Sequence, residues 1–197
     1  MSSPGDEQDA RDMARLAGGH EPALKELMER HAERLFHYLI RSLQDENDAA
    51  DLAQETFVKV YQNRSKFDTN QKFSTWLYAI ASNLVRDRYR WRSRHPQVSL
   101  DAENEQTSAN LKDNLPALGH TPDQSLQTEE RAAAVRTAIA TLPEELRQPL
   151  ILAIYQELPQ AEIAVILKCS VKAVETRIYR ARQQLRSILG ELVQTKI

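Results

Sequence analysis

Gln160-Ala-Glu-Ile-Ala-Val-Ile-Leu-Lys-Cys-Ser-Val-Lys-Ala-Val-Glu-Thr-Arg-Ile-Tyr-Arg180 decides the fold of the second half of the chain. Gln160 to Leu167 predicts a short helix, Lys168, Cys169 and Ser170 a tight turn, and Val171 the start of a longer helix. Ala164 is small where two helices must cross closely, and Leu167 and Val174 stand where they can lock that crossing. Ser170 can cap the second helix by accepting a hydrogen bond from an exposed backbone N–H. Two helices joined by such a turn make a helix-turn-helix, whose second helix enters the major groove of DNA.

Winding the second helix puts Val174, Ile178, Ala181 and Leu185 on the buried side and projects Lys172, Thr176, Tyr179, Arg180 and Gln183 outward. Between positions 168 and 186, six basic residues stand against the single Glu175. Residues near the helix start suit base edges, while Arg177, Arg182 and Arg186 suit phosphates. The plain alternative is a helical hairpin with a solvated basic face.

Upstream, the stretch from His95 to Gln127 breaks the helical patterning with Pro96, Pro116, Pro122, Gly119 and a polar run from Asp101 to Asn114. It lacks the apolar density to bury itself and is longer than loops inside one compact domain. The expectation is therefore an all-α protein of two small helical domains, 1–94 and 129–197, joined by a flexible acidic and polar linker at 95–128. Ala49, Leu52, Ala53, Phe57, Val60 and Tyr61 follow helical spacing, as do Leu77, Ile80, Ala81 and Leu84. No period-2 strand pattern stands out. Pro149 predicts a kink or a late helix start after Pro143.

The 197 residues carry 26 Lys or Arg and 28 Asp or Glu, a net charge of −2. That balance is uneven: positions 1–60 carry 7 basic and 13 acidic groups, 61–94 carry 8 and 2, 95–146 carry 3 and 9, and 147–197 carry 8 and 4. Two basic blocks separated by an acidic stretch point to two nucleic-acid contacts on one chain. The longest apolar run, Leu150 to Tyr155, is too short for a membrane span, and the polar, acidic start predicts no secretory leader. The expected compartment is the cytoplasm. The single cysteine, Cys169, excludes an internal disulfide framework and reads as a small apolar group in the turn.

The first half carries two surfaces of different character. On helix 49–62, Asp51, Gln54, Glu55, Val58 and Gln62 form an acidic-polar stripe with one apolar residue in it. Such a stripe is either a solvated face or a protein-docking face. Phe73-Ser74-Thr75-Trp76-Leu77-Tyr78 then precedes an arginine-rich run to Arg94. Asn83, Arg86, Asp87, Arg90 and Arg94 share one helical face, opposite Leu77, Ile80, Ala81 and Leu84. Aromatics interleaved with arginines suit single-stranded nucleic acid, because unpaired bases stack while phosphates meet guanidinium groups. Trp76 and Leu77 read as core.

No catalytic constellation is written in the chain. The five histidines show no metal-ligand pairing, and there is no Gly-rich phosphate loop, nucleophile elbow or Cys–His arrangement around Cys169. No catalytic residue, metal, cofactor or small-molecule substrate is expected.

Asp51-Leu-Ala-Gln-Glu-Thr-Phe-Val-Lys-Val-Tyr61, Phe73-Ser-Thr-Trp-Leu-Tyr-Ala-Ile-Ala-Ser-Asn83, Leu142-Pro143-Glu144, Glu162-Ile-Ala164 and Arg177-Ile-Tyr-Arg-Ala-Arg182 together resemble bacterial RNA polymerase sigma factors of the small two-domain, extracytoplasmic-function type. The resemblance covers about 20–94 and 129–190, in the family's order. It implies that Asp51, Gln54, Glu55 and Val58 dock on the clamp helices of the large polymerase subunit. It implies that Phe73, Ser74, Thr75, Tyr78, Asn83, Arg86 and Arg90 open and read the minus-ten element, where capture of a flipped base rewards duplex opening. Lys172, Ala173, Glu175, Thr176, Arg177, Tyr179 and Arg180 would lie at the minus-thirty-five element. The partners implied are core polymerase (clamp and flap subunits), promoter DNA and an anti-sigma factor. Three departures stand out: Lys168 at a turn position where the family often has Gly, and Ala173 and Glu175 where Thr and a basic residue are common. The rival reading is a free-standing helix-turn-helix regulator that acts without polymerase.

Overall fold

A computed structural model describes residues 4–95 and 122–195, and within it the side chains of 4–95 and 131–190. Its helices are α1 (Pro4–Ala17), α2 (Pro22–Leu43), α3 (Glu46–Gln62), α4 (Phe73–Arg94), α5 (Pro122–Thr141), α6 (Glu144–Ile154), α7 (Gln160–Leu167) and α8 (Val171–Thr195). One 3-10 turn, Arg64–Lys66, follows α3. No strand occurs among the described residues.

Local chemistry sets the helix ends. Asp45 caps α3, its carboxylate accepting from the Asp48 N–H at 2.9 Å. The chain leaves α2 through Gln44 at φ 58°, a left-handed residue whose N–H still reaches the Ile40 carbonyl. Pro122 opens α5 inside the stretch expected to be linker; a proline is at home in a helix's first turn, where its missing N–H would have no partner. The remainder of the expected linker, up to residue 121, lies outside the described residues. α6 begins at Glu144 and runs through Pro149, so the late start does not occur; the proline forfeits only the bond its N–H would have made to the Glu145 carbonyl.

In the first half α2, α3 and α4 pack around Leu27, Leu35, Leu39, Leu52, Val60, Leu77 and Val85, all essentially without solvent contact. α1 lies across α2 and is fixed by ions as well as by Met13 and Leu16. Arg30 donates to Asp9 at 2.9 Å and to Asp12 at 2.6 Å, and His31 Nε2 lies 2.7 Å from Asp9. Burial works against the Asp12 carboxylate, but hydrogen bonds from Arg30, Gln8 and Arg15 outweigh it and hold its pKa below the ordinary value.

In the second half α6, α7 and α8 enclose Leu150, Ile151, Ile163, Ile166, Val174 and Ala181. The two halves also meet: α7 and α6 lie against α4 and α2, so both cores join in one continuous cluster.

Candidate nucleic-acid and polymerase interfaces

The helix-turn-helix is built by its turn. Lys168 adopts φ 52° and ψ 49°, and two bonds close the end of α7: Cys169 N–H to the Ala164 carbonyl at 3.0 Å and Lys168 N–H to the Val165 carbonyl at 3.3 Å. This is a Schellman end, which brings the second residue past the helix back onto its last turn. That geometry accounts for Cys169, which packs partly buried on the core. Ser170 Oγ then accepts from the Ala173 N–H at 3.1 Å and starts α8.

On α8, Val174, Ile178 and Ala181 are buried and Leu185 is half-buried, as the periodicity predicts. Lys172, Tyr179, Arg180, Arg182 and Gln183 are exposed, while Ala173, Glu175, Thr176 and Arg177 are half-exposed. Tyr179 is 64% exposed and its hydroxyl accepts from Gln183 at 3.1 Å. Lys172 is paired with Glu175 at 2.9 Å, so the carboxylate holds a lysine in place on the outer surface of the helix. That hydrogen bond raises the Lys172 pKa. Lys172, Tyr179 and Arg180 therefore stand exposed on the outer face of α8.

In the first half, Asp51, Gln54, Glu55 and Val58 lie together on the open face of α3. Val58 is 51% exposed, and Glu55 pairs with Lys59 at 3.4 Å. The opposite stripe of α3, with Leu52, Phe57 and Val60, is core.

The residues of the aromatic-basic run separate into two groups. Asn83 and Arg86 are half-exposed, with Arg86 donating to Asn83 at 3.2 Å, and Arg90 is exposed. Phe73, Thr75 and Tyr78 are buried and Ser74 is half-buried. Phe73 packs edge-on against His31, with centroids 5.0 Å apart, and against Phe67 at 6.1 Å. Thr75 and Tyr78 face the second half of the chain: Thr75 donates to Glu162 at 3.1 Å and Tyr78 to Gln156 at 2.5 Å. Burial pushes the Tyr78 phenol pKa up, so it acts as a donor.

Two features escaped the sequence reading. Lys59, Asn63 and Lys66 join Trp76, Ile80, Asn83, Leu84 and Asp87 around an open groove of about 310 Å³ between the end of α3 and α4. Trp76 is only half-buried and forms one wall, instead of sitting wholly in the core. Four of the lining residues come from positions 76–84 at helical spacing, a signal that could have found the α4 wall; the α3 wall needed the tertiary fold. The second feature is the use of the arginines. Arg88 and Arg92 are bound to Asp48, and Arg92 also to Asp45 at 3.1 Å, so they tie the end of α4 to the start of α3. Among the described residues no group of three His, Cys, Asp or Glu side chains is placed to hold a metal, and no helix is long and apolar enough to cross a membrane.

The fold and these surfaces define an all-helical protein with an open helix-turn-helix. Residues 27–95 match the family model of Sigma-70 region 2, and residues 132–185 that of Sigma-70 region 4. The chain is 35% identical to the ECF RNA polymerase sigma factor SigW of Bacillus subtilis, over 88% of this chain and 92% of that protein. It is 32% identical to the RNA polymerase sigma-H factor of Pseudomonas aeruginosa, over 95% and 97%. Its fold is similar to that of CnrH solved in complex with the cytosolic domain of CnrY, with a TM-score of 0.68, 27% identity, and coverage of 93% of this chain and 98% of that one. The chain belongs to the extracytoplasmic-function family of RNA polymerase sigma factors. It is thus a polymerase-binding, promoter-directing protein, of a family whose members are not enzymes.

Proposed function

We propose that the two halves divide the work of a sigma factor. Residues 1–94 form the polymerase-docking and minus-ten unit, residues 129–197 the minus-thirty-five unit, and 95–128 the connection between them. Asp51, Gln54, Glu55 and Val58 dock on the clamp of the large polymerase subunit. Lys172, Ala173, Glu175, Thr176, Arg177, Tyr179 and Arg180 carry the minus-thirty-five contact. The second half also meets the polymerase flap. The protein works in the cytoplasm, and an anti-sigma protein holds it until it is needed.

The observation that carries the docking assignment is the open α3 face: three polar or acidic side chains surround an exposed valine on a helix whose other side is core. An apolar residue ringed by carboxylates fits a partner offering basic groups around an apolar socket.

For the minus-ten element, the groove under Asn83 supplies what a captured base requires. Trp76 gives a flat aromatic wall, Asn83 a donor and an acceptor, and Lys59 and Lys66 cationic groups for the adjoining phosphates. Arg86 and Arg90 continue that surface along α4. Phe73 supports it from within, by holding His31 and Phe67.

The test is size-exclusion co-elution with bacterial core RNA polymerase. The wild-type chain is expected to co-elute in stoichiometric amounts, and Asp51→Arg with Glu55→Arg to elute free while keeping its helical circular dichroism. Equal co-elution of the double variant would overturn the docking assignment.

A further inference from the structure

Along α4, Ile80, Leu84, Asp87 and Trp91 follow one stripe at steps of four, three and four residues. The first three line the groove beside Asn83, and Trp91 stands one turn beyond it. Trp91 is 46% exposed, and among the described residues no other large apolar side chain of α4 is open to that degree. Its indole stacks on the imidazole of His95, with ring centroids 4.9 Å apart and planes inclined by 22°. His95 ends α4: its backbone N–H donates to the Trp91 carbonyl at 2.9 Å, and its Nδ1 lies 3.0 Å from the same oxygen. The helix end itself holds the two rings as one unit.

The arginines around this pair have separate tasks. Arg88 and Arg92 are bound to Asp48, and Arg92 also to Asp45 at 3.1 Å, which fixes the end of α4 on the start of α3. Trp91 and His95 join these four side chains around a second hollow, of about 420 Å³. Its carboxylates oppose a phosphate inside it but not a neutral ring. Arg90 and Arg94 stand exposed on the same end of the helix, with Arg94 Nε donating to the Arg90 carbonyl at 3.2 Å.

We propose that Trp91 and His95 form a second stacking site for unpaired DNA, in which one base of the opened strand lies on the indole while Arg90 and Arg94 take the flanking phosphates. The inference rests on the minus-ten assignment of α4 given above. Aromatic rings that stack on bases, with cationic groups along the backbone, hold single strands whatever their sequence. A tryptophan that anchors a protein partner sits at the centre of a packed, desolvated patch, whereas the neighbours of Trp91 are arginines and paired aspartates. Distance agrees as well. Eight positions separate Asn83 from Trp91, about 12 Å along the helix, which three or four stacked nucleotides cover at ~3.4 Å each. A strand with one base in the groove therefore reaches Trp91 without leaving α4. Duplex DNA offers no free base face along its length, so this site is filled only after opening and offsets part of the cost of unstacking.

Two measurements on the full chain test the site. Trp76 and Trp91 are the two tryptophans, so Trp76→Phe leaves Trp91 as the only indole and keeps an aromatic groove wall. A mixed-sequence single-stranded deoxyoligonucleotide of about eight bases is expected to quench Trp91 emission saturably, and less so as salt is raised. The same sequence as a duplex closed by hairpins at both ends is expected to leave the emission nearly unchanged. No quenching by the single strand, or equal quenching by the duplex, would overturn the stacking site. In the holoenzyme, permanganate mapping of unpaired thymines on transcribed native genomic fragments is expected to show Trp91→Ala opening promoters about 5- to 100-fold less than wild type, the loss of one base–aromatic stack. Trp91→Phe should recover most of that opening. Trp91→Ala that opens promoters as wild type does, while Asn83→Ala with Arg86→Ala does not, would overturn the stacking site and leave the minus-ten assignment standing. Quenching of Trp91 by the single strand, with promoter opening untouched in Asn83→Ala with Arg86→Ala, would overturn the minus-ten assignment and leave the stacking site standing.

Discussion

Lys168 and Ser170 allow the helix-turn-helix to be perturbed in opposite directions within three residues. Lys168 is exposed, and among the described residues no hydrogen bond or ion pair of its side chain offsets its left-handed φ of 52°. Left-handed geometry costs a non-glycine residue about 1–2 kcal/mol. Lys168→Gly removes that cost but adds unfolded-state freedom worth about 0.5–1 kcal/mol, so a net gain of about 0.5–1 kcal/mol is expected. Ser170→Ala removes the acceptor from the Ala173 N–H and should lose about 1 kcal/mol. The two variants therefore stand about 1.5–2 kcal/mol apart. With a urea slope of about 2 kcal/mol/M, their midpoints should differ by nearly ~1 M, with wild type between them. The assay is equilibrium urea unfolding of the full chain followed by circular dichroism. A Lys168→Gly midpoint below wild type would refute the strain argument, because among the described residues no side-chain hydrogen bond or ion pair is lost to explain it.

Three further outcomes follow from the same structure. Asp12→Asn should destabilise by about 2–3 kcal/mol, a figure reduced from that of a fully buried pair because Arg30 is one-third exposed; urea unfolding at neutral pH checks it. Because the folded Asp12 pKa lies below its unfolded value, its contribution is present above about pH 4 and fades as the pH falls through the lower folded pKa; Asp12→Asn should flatten stability against pH in that acid range. Arg180→Ala should weaken promoter recognition by about 1–3 kcal/mol in a footprinting titration of the reconstituted holoenzyme, with unchanged core polymerase binding.

The helices of the second half were legible because each local signal agreed with the others. The stripe Val174, Ile178 and Ala181, the cap at Ser170 and the turn at Lys168 all fix the same two-helix crossing, and the structure has each of them. The core stripes of α3 and α4 were legible for the same reason. What escaped depends on partners distant in sequence. Nothing near Arg88 and Arg92 announces Asp48, 40 and 44 positions away, so part of the basic run that read as nucleic-acid contact is structural. The polar Thr75 and the aromatic Tyr78 read as open to solvent because their cover, Glu162 and Gln156, lies 87 and 78 positions on. Pro149 misled in another way: a proline removes its own N–H bond and crowds the carbonyl four residues back, yet α6 runs through it with Leu146, Leu150 and Ile151 buried around it.

Holding both readings together is a single claim, that one chain gives polymerase two separated DNA contacts. Run-off transcription of fragmented native genomic DNA by core polymerase, with and without the chain, tests it most directly. New start sites are expected that share two conserved blocks, about 10 and 35 base pairs upstream, and that are lost with Arg180→Ala or with the Asp51→Arg and Glu55→Arg pair. Start sites identical with and without the chain would contradict it.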